Sequence, residues 1–460
     1  MSGDDHAEDE LAPLLDLIRT LCSLSGRVAG SEAERQAQEL LAGRLRALGF
    51  DAVVEGAVCP PRPPFVLALH AGVALLSVAL VFVRPVLAAA LAAFVGLSFW
   101  GELRGGPFLL QRMLLKRISG NLVARLRPEG SRPIRSDFDQ RQPPKIVLVA
   151  HADVASSSAL FLPWVRRFWD ETEAPDASAE RPIPNERASR RGRRLRLHPG
   201  SIVLVATAVQ TVVALGWTAG VRGVAPLVLL GACVLVQLGL AAVAVDWWRS
   251  PPVDGAVDNG SGLAVLLGVA QRIAQTPLQH AELWIVATGD REPDADGMGA
   301  VLFQFGALLD PRNTFFINVD DVGQGDLHIG TSEGRWDRLP YRPFLTGLAE
   351  RVARSGRFGH VGLADLVGTT DAGPPTEAGF SAVTLTSLVA GRPAPVLHTA
   401  DDRFEFLDPR SLETALGFTR ALVRATDREI GAGTGPALDA PVPETEDGGA
   451  PRERVPTGAV

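Results

Sequence analysis

Four long apolar runs constrain this chain more than any other feature. Residues 64–83 (PFVLALHAGVALLSVALVFV) and 85–101 (PVLAAALAAFVGLSFWG) are separated by little more than Arg84-Pro85. Residues 201–220 (SIVLVATAVQTVVALGWTAG) and 224–245 (VAPLVLLGACVLVQLGLAAVAV) flank a tip of Val221, Arg222 and Gly223. A helix rises 1.5 Å per residue, so roughly 17–20 residues cover the ~30 Å hydrocarbon core of a bilayer. The spacing therefore predicts two transmembrane helical hairpins, 64–101 and 199–248, with Trp247 and Trp248 at an interface.

Because each pair returns to the side it left, all remaining residues fall on one side of the membrane. The two tips carry one arginine each, Arg84 and Arg222. The other ends carry Arg104, Arg112, Lys116, Arg117 and the run RASRRGRRLRLH ahead of the second hairpin. The positive-inside tendency then places the polar domain in the cytoplasm, with the arginine run against anionic lipid headgroups. An integral membrane protein with four spans follows, and the lipid bilayer is its first partner. A net charge of −7 gives no basic field, so no nucleic-acid partner is expected. The three cysteines, Cys22, Cys59 and Cys233, form no CxxC pair and suggest neither a disulfide framework nor a thiolate metal site. The acidic opening MSGDDHAEDE does not read as a cleaved secretory signal.

Outside the hairpins the pattern alternates. LAPLLDLIRTLCSL and SEAERQAQELLAGRLRAL read as helices, the second with Ser31 as N-cap and Glu34 three residues on, the spacing of a capping box. DAVVEGAV, NLVARL, KIVLVA, ELWIVAT, TFFINV and SAVTLTSL read as strands, with GSGLAVLLGVAQRIAQ and GMGAVLFQFGALL as helices among them. This predicts an α/β fold, a mixed, mostly parallel sheet with helices on both faces, interrupted by the two hairpins. In segments, 1–63, 102–169 and 249–432 would build this domain, 170–198 is a flexible Arg-rich linker, and 433–460 is a disordered tail rich in Pro, Gly and acids.

Three apolar strands run directly into polar residues. KIVLVA leads to His151 and Asp153, ELWIVATGD to Arg291 and Glu292, and TFFINV to Asp320 and Asp321. Carboxyl ends of strands are where open α/β sheets build their sites. The loops GAVDNGSG and VLHTADD add Asp258 and His398. Two imidazoles and several carboxylates suit a divalent ion, zinc above all, and two ions can share a bridging carboxylate.

These strings, in this order, resemble the co-catalytic zinc exopeptidases, the family of bacterial leucyl-type aminopeptidases and the related glutaminyl cyclases. RVAGSEAERQAQELLAGRLRALGF is similar to the family's opening helix, AHADV to its first metal motif, GAVDNGSG to its bridging-aspartate motif, INVDDVG to the motif with the acidic pair and LHTADD to its closing histidine motif. The resemblance covers about residues 10–58, 118–155 and 251–430. It implies a zinc exopeptidase fold and two Zn2+ ions per chain: His151 and Asp320 on one, Glu292 and His398 on the other, Asp258 bridging both. It further implies that Asp153 orients His151, that a non-proline cis peptide joins Asp258 to Asn259, with Gly260 and Gly262 letting the chain turn, and that Asp371, in GTTDAGPPTEAGF, lies near the substrate. The implied activity is hydrolysis of peptide bonds from the amino end, on a peptide or another amine-bearing small molecule.

One position departs from the family pattern. The family presents two adjacent glutamates, the first a general base and the second a metal ligand; here the string is TGDREPDADGM. Counting back from Gly297 makes Glu292 the ligand and puts Arg291 at the position of the base. A guanidinium keeps its proton throughout the physiological range and cannot act as a base. Asp290 or Asp294 would have to substitute; the alternative is a catalytically weak or inactive relative that binds a ligand or scaffolds a membrane complex.

Overall fold

The computed structural model describes residues 3–104, 109–128, 143–162, 165, 199–292, 297–334 and 338–433. The expected linker at 170–198 and the expected disordered tail beyond residue 433 lie outside them, as does Asp294.

Two amphipathic helices open the chain, α1 (Gly3–Ser23) and α2 (Glu32–Ala47). Ser31 caps α2, its hydroxyl accepting from the Glu34 N–H at 3.1 Å. The reciprocal half of the expected capping box is replaced: the Glu34 carboxylate accepts from Gly30 N at 2.7 Å and Ser119 Oγ at 2.5 Å and is turned into the protein. Burial, followed by the nearby Asp153 charge, pushes its pKa up to about 8.

Among the described residues the strands form one sheet, in the order β1 (Asp51–Cys59), β2 (Arg117–Leu126), β4 (Glu282–Thr288), β3 (Lys145–His151), β5 (Thr314–Val319), β9 (Ser381–Leu388), β6 (Asp326–Glu333) and β7 (Leu339–Pro340), with β8 (Gly362–Asp365) also on β6. The four central strands are parallel. Both flanks are antiparallel apart from β6–β8. The expectation of a mostly parallel sheet therefore holds for the centre alone. The parallel centre is the part covered by helices on both faces, whereas the antiparallel pairs β2–β4 and β6–β9 join strands that are not consecutive in the chain.

β3, β4 and β5 are buried along their whole length, which is why they read as uninterrupted apolar runs. The larger core lies under α1, α2, α7 (Ser261–Gln275), α9 (Pro343–Ala353) and α11 (Pro409–Gly431), around Leu41, Leu148, Leu266, Phe315 and Phe418. A smaller core on the other face joins Val147, Trp284 and Phe316 to α8 (Gly297–Phe305) and α10 (Gly373–Glu377).

The two apolar insertions fold as α3 (Pro63–Leu80) with α4 (Pro85–Arg104), and α5 (Pro199–Thr218) with α6 (Val224–Arg249). All four are long and apolar enough to cross a membrane, and well under half of each such window is buried. That excludes a reading as core helices, because Leu76, Val205, Val212 and Leu235 face outward. The bundle closes on small residues. A Cβ at Gly96 of α4 would stand 2.8 Å from Thr207 Oγ1 of α5, so glycine there lets the two backbones approach.

Candidate metal centre

The carboxyl edge of the parallel strands gathers the polar side chains. His151 ends β3, Glu292 follows β4, Asp320 follows β5, Asp258 precedes α7 and His398 comes from the loop before α11. Within this set, His151, Asp258 and Asp320 form one group with ligand atoms within 4.8 Å of one another, and Asp258, Glu292 and His398 form a second.

Asp258 is common to both. Its Oδ1 lies 3.0 Å from His151 Nε2 and its Oδ2 lies 2.8 Å from His398 Nε2. Asp320 Oδ1 completes one side, 3.2 Å from His151 Nε2, and Glu292 Oε2 the other, 3.3 Å from His398 Nε2. A cis peptide joins Asp258 to Asn259. Asn259 fastens the loop to β5, its Nδ2 donating to Val319 O at 2.9 Å and its Oδ1 accepting from Gly262 N at 3.0 Å. Gly262 serves close approach rather than a turn, since a Cβ there would fall 2.5 Å from Val319 O. Non-glycine residues with positive φ, which L side chains rarely adopt, include Asp290, Asp321 and His398, all in or beside this cluster.

The electrostatics favour positive charge at the centre. Burial alone would depress both imidazoles, yet Asp153, Asp258 and Asp320 hold His151 well above its usual range, and Glu292 with Asp258 does the same for His398. Asp258 is held far below the usual carboxylate range: burial opposes this, and the two histidines outweigh it. Asp321 behind it is raised by burial and by Asp258 and Asp320. Glu292 Oε2 is buried and, among the described residues, makes no hydrogen bond. Imidazole and carboxylate donors in two groups sharing one aspartate, with such an oxygen among them, fit divalent cations of zinc's preference.

Supporting residues set these positions. Asp153 sits 3.5 Å from His151 Nδ1 through Oδ1, and its backbone carbonyl lies 3.1 Å from the same nitrogen. Its Oδ2 also accepts from the N–H groups of Arg291 and Glu292, at 3.0 and 2.8 Å, and so ties the β4 loop to β3. Two supports have no counterpart among the residues singled out from the sequence. Asp402, fully buried, accepts from Val257 N at 2.7 Å and Asp258 N at 3.2 Å. Arg27, also buried, donates to Ala152 O, Gly255 O and Leu21 O, clasping two ligand loops to α1. Both lie inside the quoted motifs; only their burial marks them, and spacing does not reveal burial.

The loop after β4 separates the remaining candidates. Asp290 is buried on the β1 side, its backbone N–H directed to the Glu34 carboxylate and its charge felt at the Cys59 thiol. Arg291 turns the other way: its guanidinium donates to Thr369 O, and its charge lowers Asp371 and Glu333. Asp371 accepts from Thr288 Oγ1 at 2.7 Å, and burial lifts it to about 6 against the pull of Arg291 and His151. Glu333, buried and bonded by Tyr341 and Thr370 hydroxyls at 2.6 and 2.5 Å, rises to about 7 for the same first reason.

Residues 242–423 match peptidase family M28. The M28 match holds four of the five clustered candidate ligands and leaves His151 outside it. No curated protein matches the chain. Among solved structures, a zinc aminopeptidase from Bacillus subtilis aligns over 90% of this chain and 94% of its own, with 14% identity and a TM-score of 0.50. LapB from Legionella pneumophila (14% identity, 94% and 75% covered, TM-score 0.47) and the glutaminyl cyclase of Tannerella forsythia (14%, 90% and 98%, 0.46) are also similar. The first of these likenesses shows the fold, a mixed α/β architecture of the zinc exopeptidase kind.

Proposed function

We propose that this chain is a membrane-anchored, zinc-dependent hydrolase of peptide bonds, aminopeptidase in type. The observation that carries the reading is Asp258, whose two oxygens face two histidines, each backed by a further carboxylate. His151 and Asp320 would hold one ion, Glu292 and His398 the other, with Asp258 between them. Zinc held there supplies an acidified water and polarises a carbonyl. The M28 match supports the peptidase class, and four apolar helices with a basic rim at Arg112 and Lys116 support a bilayer anchor with the domain on the cytoplasmic side.

Arg291 cannot take a proton, so another group must. Asp371 suits that role. Its field reaches His151 and Asp320, Thr288 fixes its Oδ2, and a value near 6 lies close to working pH. Asp290, facing Glu34, is the weaker candidate. Arg291 then acts as a fixed positive charge that keeps Asp371 ionised.

The same arginine supports a second reading, a weakly active relative that binds amine-bearing ligands or scaffolds a membrane complex. Zinc analysis of the purified protein, with turnover of a panel of short peptides, separates the two. Bound zinc with turnover supports the enzyme; bound zinc without turnover supports the binding protein; absence of bound zinc after loading refutes the enzyme and the zinc-held ligand site alike.

A further inference from the structure

Both hairpins leave the sheet from the edge that carries the metal cluster. β2 runs antiparallel to β4 with Leu122 opposite Ala287, so residues 117–120 project past the edge where β3 and β4 end. They do so as a ribbon with Gly56–Cys59 of β1. At about 3.3 Å per residue the ribbon reaches roughly 13 Å beyond that edge, where the first hairpin is rooted.

The second hairpin returns to the same place. After α6 the chain is zipped to the loop that follows His151: Pro252 bridges Ser156, Ser157 N donates to Pro251 O at 2.9 Å and Val253 N donates to Ala155 O at 3.0 Å. Asp246, in the last turn of α6, accepts from Ser158 Oγ at 2.8 Å and Ala159 N at 2.9 Å. That holds Phe161 edge-on to His398, ring centres 4.7 Å apart, and 5.8 Å from Trp247 of α6. A metal ligand and a candidate membrane helix are thus bridged by one aromatic ring.

A third observation concerns the root of the first hairpin. Leu115 is 90% exposed, Met113 73%, Ile118 71% and Val58 60%, and the exposed Arg112 and Lys116 stand among them. Val58 and Ile118 are register partners on the ribbon. Apolar side chains projecting among basic ones suit the headgroup boundary of an anionic bilayer.

We propose that the metal cluster faces the bilayer and takes the amino ends of peptides held at the membrane surface, with Phe161 as the apolar wall beside the bound residue. The substrate assignment rests on the peptidase reading above; the orientation does not. The surface supplies such substrates at high local concentration, and a linker of few residues suffices for them to reach the cluster.

The test uses the full, zinc-loaded chain in phosphatidylcholine–phosphatidylglycerol vesicles and one peptide in three forms: free, joined to a palmitoyl anchor by a short linker, and joined by a long one. A short linker of about six residues spans at most ~20 Å, whereas a Gly/Ser linker of about 40 averages ~35 Å and extends much further. The short-linked and long-linked peptides are expected to be cleaved at similar rates, about tenfold or more above the free peptide at equal bulk concentration. Phe161→Ala should raise KM and leave kcat little changed. Cleavage of the free and long-linked forms but not the short-linked one overturns the proposal and leaves the peptidase reading standing. Cleavage of none overturns the peptidase reading and the substrate assignment with it. Orientation has its own readout, in a background with the native cysteines changed to Ala. A fluorophore at Leu162→Cys should be quenched by headgroup-labelled lipid as strongly as one at Leu115→Cys, with Arg312→Cys at the opposite edge of the sheet unaffected. Leu162→Cys behaving like Arg312→Cys overturns the orientation.

Discussion

Arg291→Glu is the substitution that decides how this site handles protons. The backbone at 291 is fixed independently of its side chain, by the 3.0 Å bond from its N–H to Asp153, so a glutamate would start from the same Cα. A positioned general base is worth roughly 100- to 10,000-fold in rate, about 3 to 5 kcal/mol of barrier. Against this stand two losses. The charge-assisted bond to Thr369 O disappears, which costs about 1.5–3 kcal/mol of stability. Asp371 and Glu333, at about 6 and about 7 with the arginine beside them, are both pushed further up when it is removed. That weakens Asp371 as an acceptor just as the introduced glutamate would become one. Where the site lacks a base, the expected outcome is a rise in kcat of at least about tenfold, with zinc content unchanged and a lower melting temperature; where Asp371 already serves, one base replaces another and kcat changes less. Amino-acid p-nitroanilide hydrolysis, zinc by mass spectrometry and differential scanning fluorimetry measure the three quantities. An unchanged or lower rate in a folded, fully zinc-loaded variant would refute the argument that Arg291 occupies the place of the missing base.

Three further outcomes are expected. Asp258→Asn should lower bound zinc far more than Asp320→Asn or Glu292→Gln, because only Asp258 belongs to both ligand groups; equal losses in zinc titrations would contradict the bridge. Asp402→Ala leaves two buried N–H groups without an acceptor and should destabilise by about 2–4 kcal/mol in chemical denaturation, whereas a change under ~1 kcal/mol would show that the loop holds itself. In the metal-free protein, Glu34, at about 8, is raised above its unfolded value, so its contribution is fully present below about pH 4.5 and is lost as pH rises through 8. The loss is on the order of 3–5 kcal/mol and Glu34→Gln should flatten it, so parallel stability profiles for the two proteins would count against a buried acid there.

The four apolar helices and the central strands were readable in the sequence because each is an unbroken apolar run, the strands because they are buried on both faces. The helices run Pro63–Leu80, Pro85–Arg104, Pro199–Thr218 and Val224–Arg249, within a few residues of the apolar runs. The clustered polar positions at His151, Glu292 and Asp320 were readable because strand ends are abrupt changes from apolar to polar. β6, with DLHIGTSE, carries no strand signature because it mixes polar with apolar residues and contains a glycine, and β7 and β8 are too short for any period. Glu34 was placed on a helix start by its spacing from Ser31, but its side chain follows the buried Ser119 and Gly30 instead, a tertiary preference that spacing cannot encode. Asp290 and Arg291 are adjacent in sequence yet serve opposite sides, the charge of Asp290 reaching Cys59 on β1 and the Arg291 guanidinium reaching Thr369 O.

The clasp of Arg27 on Gly255 and Ala152 spans both hairpins in the chain. A ribosome delivers residue 27 early and residue 255 only after all four apolar helices have been made. Arg27 therefore waits through the synthesis of all four apolar helices before its partner carbonyl exists, and His398 arrives later still. On the proposed membrane-anchored reading, insertion running alongside synthesis would put these helices in place before His151, Asp258, Asp320, Glu292 and His398 come together.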